Sequence, residues 1–205
     1  MHISLVGMSN IGKSHWARRR LERESGFKRL SCDELIEQRL APELKKLGYR
    51  GLRDVAAWMG QPYDSRYAET SRTYLACERD IMLDIIERLR AATQPMVIDT
   101  TGSVIYTSDD ILEQIRALTK VVYLQASDGH VSQLFRNYLK NPKPVIWGDS
   151  FAPRQGEAPM DALQRCYPDL LKFRDARYRA VAHVHIAFER HRAADATWDK
   201  LMAGL

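Results

Sequence analysis

Three observations along the 205 residues predict the fold class. Short β-prone segments alternate with helical ones. A Gly-rich turn joins the first strand to the first helix. The other chemically loaded residues cluster just after strand ends. Together they predict an α/β fold, a three-layer sandwich with a five-stranded parallel sheet covered by helices on both faces. Ligands of such sheets sit at the carboxyl ends of the strands. The length suits one domain, residues 1–205, with a mobile appendage.

Ile3–Val6 reads as a buried first strand running into Gly7. Ser14 to about Glu24 reads as a helix stopped by Gly26. A second strand follows at Phe27–Ser31, then a helix from Asp33 to about Leu47 with a candidate break at Pro42. Asp54–Met59 is a short helix. Residues 68–92 form a long one, with Leu75, Met82, Leu83, Ile85, Ile86 and Leu89 on one side. Pro95–Asp99 is the third strand. A helix at Asp109–Thr119 opens with Ser108-Asp109-Asp110, and the fourth strand is Val121–Leu124. Ser127 to about Leu139 is helical. Residues 140–160, rich in Pro and Gly, are too long for a plain connection and read as a lid, spanning about 136–160 with the end of that helix. A helix at about 161–181, a fifth strand at Val184–Phe188 and a short terminal helix complete the chain.

Composition narrows the function. Net charge is +5, which suits anionic ligands, but 31 basic residues are interleaved with 26 acidic ones. Arg18-Arg19-Arg20 is followed at once by Glu22 and Glu24, so a solvated helix face explains the run and nucleic acid is disfavoured. Cys32, Cys77 and Cys166 are widely spaced and odd in number, which predicts reduced thiols in a cytoplasmic protein, without disulfide or zinc. Neither a signal peptide nor a membrane-spanning run is expected.

Gly7-Met8-Ser9-Asn10-Ile11-Gly12-Lys13-Ser14 fits GxxxxGK[ST] between a strand and a helix, which makes the fold that of a P-loop NTPase. Glycines let the backbone turn its N–H groups toward phosphates, and the helix N-terminus adds positive potential. Gly7, Asn10, Ile11, Gly12, Lys13 and Ser14 are the expected nucleotide contacts, with Lys13 on the β and γ phosphates and Ser14 on Mg²⁺. No NKxD base-reading motif is present, which favours ATP over GTP.

Four further segments follow in order: Ser31-Cys32-Asp33-Glu34-Leu35-Ile36-Glu37, Arg66-Tyr67-Ala68-Glu69, Thr100-Thr101-Gly102-Ser103, and a last third with Arg136, Lys143-Pro144-Val145-Ile146, Arg174 and Tyr178. In these the chain resembles the shikimate kinase family over nearly its whole length. The resemblance implies ATP-dependent, Mg²⁺-dependent phosphorylation of a small, carboxylate-bearing hydroxyl compound, with shikimate the leading candidate. It implies that Asp33, matching the second Asp of DxDxxIE, orients and deprotonates the acceptor hydroxyl. It further implies that Arg66 and Arg174 grip the acceptor carboxylate, that Gly102 lines the acceptor, and that Arg136 and Lys143 bring lid cations to the nucleotide. Lys13, Asp33 and Lys143 are then the expected catalytic groups.

The chain departs from that pattern in three places. Ser31 replaces the first Asp of DxD, Thr101-Gly102-Ser103 replaces a Gly triplet, and Trp147–Arg154 lengthens the lid. Asp99, ending the third strand, is a candidate to take over the Mg²⁺-side role of position 31. Other readings stay open on the sequence alone. Asp33 suits a helix N-cap, Asp99 a turn cap, Arg66 and Arg174 structural positions, and Lys143 a plain loop. At the level of function, a nucleotide-binding regulator without turnover is one alternative. A nucleotide or polynucleotide kinase is another, with Tyr63, Tyr67 and Tyr74 as candidate base platforms.

Overall fold

The computed structural model describes residues 1–23, 27–50, 52–127, 129, 131–140 and 142–203, without the side chains of 20–23, 52 and 53. The expected helix stop at Gly26 lies outside the described residues.

Five parallel strands, β1 (His2–Val6), β2 (Lys28–Ser31), β3 (Met96–Asp99), β4 (Thr119–Leu124) and β5 (Val184–Ile186), form one sheet in the order β2-β3-β1-β4-β5. Parallel strands need crossovers, and helices supply them. Both faces of the central strands are therefore covered, so β1, β3 and β4 are buried almost continuously instead of at alternate positions. Ile3, Leu5, Val97, Ile98 and Val121 to Leu124 carry the core.

The covering helices are α1 (Lys13–Arg23), α2 (Cys32–Lys46), α3 (Leu52–Met59), α4 (Tyr67–Ala91), α5 (Asp109–Leu118), α6 (Val131–Lys140), α7 (Pro159–Val181), α8 (Phe188–Arg192) and α9 (Trp198–Met202). Helix α2 runs unbroken through Pro42, contrary to the expected break. Proline removes one helical hydrogen bond, which the burial of Ile36, Leu40 and Leu44 offsets. Ser108 caps α5 as expected, its hydroxyl accepting from Ile111 N–H at 3.2 Å. Helix α6 is shorter than expected, its described part starting at Val131. The last strand ends at Ile186, and two short helices, not one, follow it.

On α4 the buried stripe is Tyr74, Glu78, Ile81, Met82, Ile85, Ile86 and Leu89, while Leu83, expected inward, is 44% exposed. The segment after α6 carries a single 3-10 turn at Gly148–Ser150. Its middle is not loose. Pro144, Val145, Ile146 and Trp147 are buried, and Trp147 packs against Tyr138, Phe151 and Tyr167.

Register brings the motifs together. Asp99 lies opposite Ser31 on one side and Leu5 on the other. The ends of β1, β2 and β3 thus open at one edge of the sheet.

Leu5→Ala should cost about 2–5 kcal/mol in urea unfolding, because Leu5 is wholly buried in the central strand. Leu83→Ala should stay within about 0.5 kcal/mol of wild type.

Candidate active site

The first element is the turn between β1 and α1. Gly7 (φ 145°), Asn10 (φ 64°) and Gly12 (φ 111°) adopt left-handed backbone conformations that curl the chain into a cradle. Gly7 has no alternative, since a Cβ there would meet Leu124 O at 2.7 Å. Lys13 is buried in the first turn of α1. Its ammonium donates to Gly7 O at 2.8 Å and Met8 O at 2.9 Å, so the charge is held by the loop it serves. Burial lowers the Lys13 pKa, while Asp99 and Asp33 pull it back up.

A cavity of about 210 Å³ opens beside this cradle. Ser9, Gly12, Lys13 and Ser14 line it together with Asp33, Tyr74, Thr101 and Gly102, and Lys143 and Pro144 complete the lining. Helix α2 begins at Cys32 with Ser31 at its N-cap position, so Asp33 lies inside the first turn and is not the cap. Burial raises the Asp33 pKa, and Lys143 and Lys13 oppose the rise. A carboxylate so placed is a stronger base than one in water.

Gly102 touches the phosphate cradle directly. A Cβ on it would meet Ser9 Oγ at 2.5 Å, Ser9 N at 3.0 Å and Arg174 Nη1 at 3.2 Å. Its carbonyl accepts from Tyr178 Oη at 2.5 Å. Arg174 lies behind it, buried, with Nη2 donating to Ile146 O at 2.7 Å and the guanidinium 5.4 Å from the Tyr106 ring centre. Arg174 Nε makes no hydrogen bond among the described residues. Tyr67 Oη grips the same strap from the other side. It donates to Val145 O at 2.8 Å and accepts from Trp147 N–H at 2.9 Å.

Residues 3–129 match the family described as the AAA domain. The chain belongs to that family. It is also 27% identical over 190 residues to a shikimate kinase of Paracidovorax citrulli (strain AAC00-1), covering 93% of this chain and 84% of the relative. Two solved structures share the fold. The shikimate kinase from Acinetobacter baumannii in complex with shikimate superposes with TM-score 0.55 at 24% identity, over 90% of this chain and 82% of that one. The enzyme from Bacteroides thetaiotaomicron gives 0.59 at 17%, over 95% and 90%. In this AAA-domain chain the P-loop fold is shikimate kinase-like. The family match ends at residue 129, so Lys143 and Arg174 lie beyond it.

The structure brings Lys13, Ser14, Asp33, Gly102 and Lys143 to one cavity, together with Asn10 and Gly12. Ile11 is buried under the cradle as an apolar support, its Cγ2 3.3 Å from where a Gly7 Cβ would stand. Asp99 is buried at the end of β3 and ion-paired to Arg29 at 3.4 Å; Arg29 also holds Glu34 at 2.6 Å. Arg66 is not brought there. Its guanidinium donates to Ala57 O at 2.7 Å and Tyr49 Oη at 3.3 Å, tying α3 to the start of α4. Arg136 is exposed on α6 and bonded to Gln133 at 2.8 Å on its own helix. Of the three tyrosines considered as base platforms, Tyr67 is the strap anchor and Tyr74 is buried. Tyr63 lies at the surface against Phe151. The three cysteines are free and buried, and no cluster of three or more His, Cys, Asp or Glu residues that could hold a metal ion occurs among the described residues. No described helix is long and apolar enough to cross a membrane.

Glu78 went unnoticed in the sequence. It is wholly buried on α4, under the loop that follows β3. Its Oε1 accepts from Thr101 Oγ1, and its Oε2 accepts from Ser103 Oγ at 2.7 Å. A signal was available, for Glu78 interrupts the apolar stripe of α4 one turn after Tyr74 and one turn before Met82. Burial pushes its carboxyl up to about 7, against the two hydroxyl bonds, which lower it.

This fixes a sign. The folded protein holds the Glu78 proton more tightly than the unfolded chain, so the associated stability is present below about pH 4.5 and is lost as pH rises through about 7. Buried His191 acts the other way, losing stability as pH falls below about 6.5. The difference between wild type and Glu78→Gln isolates the carboxyl. Wild type should lose ground against Glu78→Gln between about pH 5 and pH 8 in thermal melts, by on the order of 3 kcal/mol.

Proposed function

We propose that the protein transfers the γ-phosphoryl group of ATP to a hydroxyl of a small metabolite. The observation that carries this reading is the cavity itself, in which Lys13, Ser14, Asp33 and Lys143 line one space and the two lysines act on the Asp33 carboxyl. A nucleotide cradle alone needs no carboxylate facing it. A carboxylate of raised pKa, set opposite the phosphate lysine, suits a hydroxyl acceptor.

The turn from Gly7 to Gly12 directs backbone N–H groups and the α1 dipole at the phosphates. Lys13 and Lys143, which line the same cavity, bring two cationic side chains to the transferring group without reorganisation. Asp33 accepts the hydrogen bond of the acceptor hydroxyl and takes its proton as the oxygen attacks. Pro144, Val145 and Ile146, buried beside the cavity, keep water from competing as acceptor. Mg²⁺ fits the residues present. Ser14 lines the cavity, and Asp99 is the buried carboxylate whose charge acts on Lys13, in register with Ser31. Held by Ser14 and Asp99, the ion would neutralise phosphate charge during transfer.

Shikimate is the first acceptor to test. The relatives named above are shikimate kinases, and Arg174 lies directly behind Gly102 at the acceptor wall. A carboxylate there would replace Ile146 O on Arg174 Nη2. The second arginine expected for such a clamp, Arg66, is engaged elsewhere, so acceptors lacking the carboxylate belong in the same screen.

A coupled ADP-release screen over hydroxy acids, polyols and nucleosides tests the reading. An acceptor should be found, and Lys13→Ala should abolish its turnover. Asp33→Asn should lower kcat by about 10²–10⁴-fold with ATP affinity kept. ATP binding without acceptor-dependent ADP release would overturn the proposal. Asp99→Ala should raise the Mg²⁺ concentration needed for half-maximal rate, and an unchanged Mg²⁺ dependence would remove Asp99 from the metal side.

A further inference from the structure

Thr101 and Ser103 flank Gly102, which sets two hydroxyls beside the cavity. Thr101 lines the cavity and Ser103 does not, and the hydroxyls of both are engaged by Glu78. Both turn down onto Glu78, and Ser103 N–H donates to Thr101 Oγ1 at 3.1 Å, closing the group on itself. Thr101, Ser103 and Glu78 are all at most 3% exposed. From above, Tyr178 Oη fixes the Gly102 carbonyl. The loop is therefore held on both sides of Gly102, the one position where no side chain fits.

We propose that Glu78 is the positioning residue of the acceptor wall, holding the Thr101 and Ser103 hydroxyls beneath the loop so that the acceptor meets the backbone at Gly102. The role in acceptor binding rests on the phosphotransfer reading; the tether does not. Serine and threonine hydroxyls in a buried loop need partners, and without Glu78 they would seek them in the cavity.

The tether survives a change of charge. Ionised, Glu78 accepts from both hydroxyls. Neutral, its O–H donates to Ser103 Oγ, Ser103 donates to Thr101 Oγ1 3.1 Å away, and Thr101 donates back to Oε1, which closes a ring. The groups that face Glu78 are Thr101 and Ser103 from the loop, Asp33 and Cys32 from α2, Tyr74 from α4 itself, and Arg174 and Tyr178 from α7. A glutamine can copy the neutral ring, its amide donating to Ser103. A leucine of similar size cannot.

The test compares wild type, Glu78→Gln, Glu78→Leu and Glu78→Leu combined with Thr101→Ala and Ser103→Ala. Hydrogen exchange of segment 100–104 is measured without ligand. The KM values for ATP and for the acceptor found in the screen are measured separately. Glu78→Leu should speed exchange and raise the acceptor KM by about tenfold or more, with the KM for ATP within about twofold. Glu78→Gln should stay within about threefold of wild type on both. The triple variant should return exchange toward wild type, since no hydroxyl then lacks a partner. If Glu78→Leu fails to fold alone while the triple variant folds, the tether is supported in the same sense. Exchange unchanged in Glu78→Leu, Glu78→Gln as damaging as leucine, or equal effects on both KM values would overturn it. The two readings fail separately. No ADP release from wild type with any acceptor overturns the proposed activity, whereas acceptor-dependent release that Glu78→Leu leaves unchanged overturns the role of Glu78.

Discussion

The approach of Gly102 to Ser9 sets the geometry of everything around it. A Cβ at position 102 would lie 2.5 Å from Ser9 Oγ and 3.0 Å from Ser9 N, so the loop after β3 leans on the phosphate cradle with nothing between. Because β3 and β1 are neighbours in the sheet, this contact is the continuation of their pairing beyond Asp99. The cradle and the loop that carries Gly102 thus continue two paired strands past their carboxyl ends.

The same contact explains why α7 matters to a site built mainly from the first 103 residues. Tyr178 holds the Gly102 carbonyl, and Arg174 fills the space behind it. Arg174 then reaches to Ile146 O, so the strap 145–147 is tied to the wall it covers. Tyr67 secures the strap from α4 with two more bonds. Farther along, Glu157 and the Ala152 carbonyl both receive Arg165 of α7, at 2.7–2.8 Å. Closure over the cavity is thus a property of Val145–Trp147 packed in place. Lys143, just before that segment, owes its position above the cavity to it.

How much of this was legible in the sequence depended on what kind of signal each residue left. The sheet and its helices were legible because strand burial and helical periodicity are properties of short windows. Lys13 and Asp33 were legible because each sits at fixed distance from a strand end, and the strand end is where the site must be. Arg66 was read as part of the site from order and spacing along the chain, yet Tyr67–Ala91 is a 25-residue helix. At 1.5 Å per residue, the twelve residues between Arg66 and Glu78 span about 18 Å, so the start of α4 and its middle serve different neighbours. The residue of α4 that reaches the loop is Glu78, and it carried no motif. Its only trace was one charge within an apolar stripe. The strap left less still, because Tyr67 and Trp147 meet through backbone bonds that residue type does not announce.

Asp99 shows what a substitution in one strand can ask of the next. Ser31 removes a carboxylate from the end of β2, and Asp99 stands directly across from it on β3. Moving an acidic group one strand inward, about 4.8 Å in an ordinary sheet, keeps it at the same height above the cradle. It also brings it nearer Lys13, whose charge it supports. The cost is that Asp99 is buried, and a buried carboxylate needs a partner. Arg29 supplies one at 3.4 Å, a distance long enough to steady the charge without taking both oxygens. Arg29 is itself anchored at 2.6 Å by Glu34, on the turn of α2 that also carries Asp33. Arg29 therefore joins the end of β3 to the first turn of α2, the turn on which Asp33 lies beside Glu34.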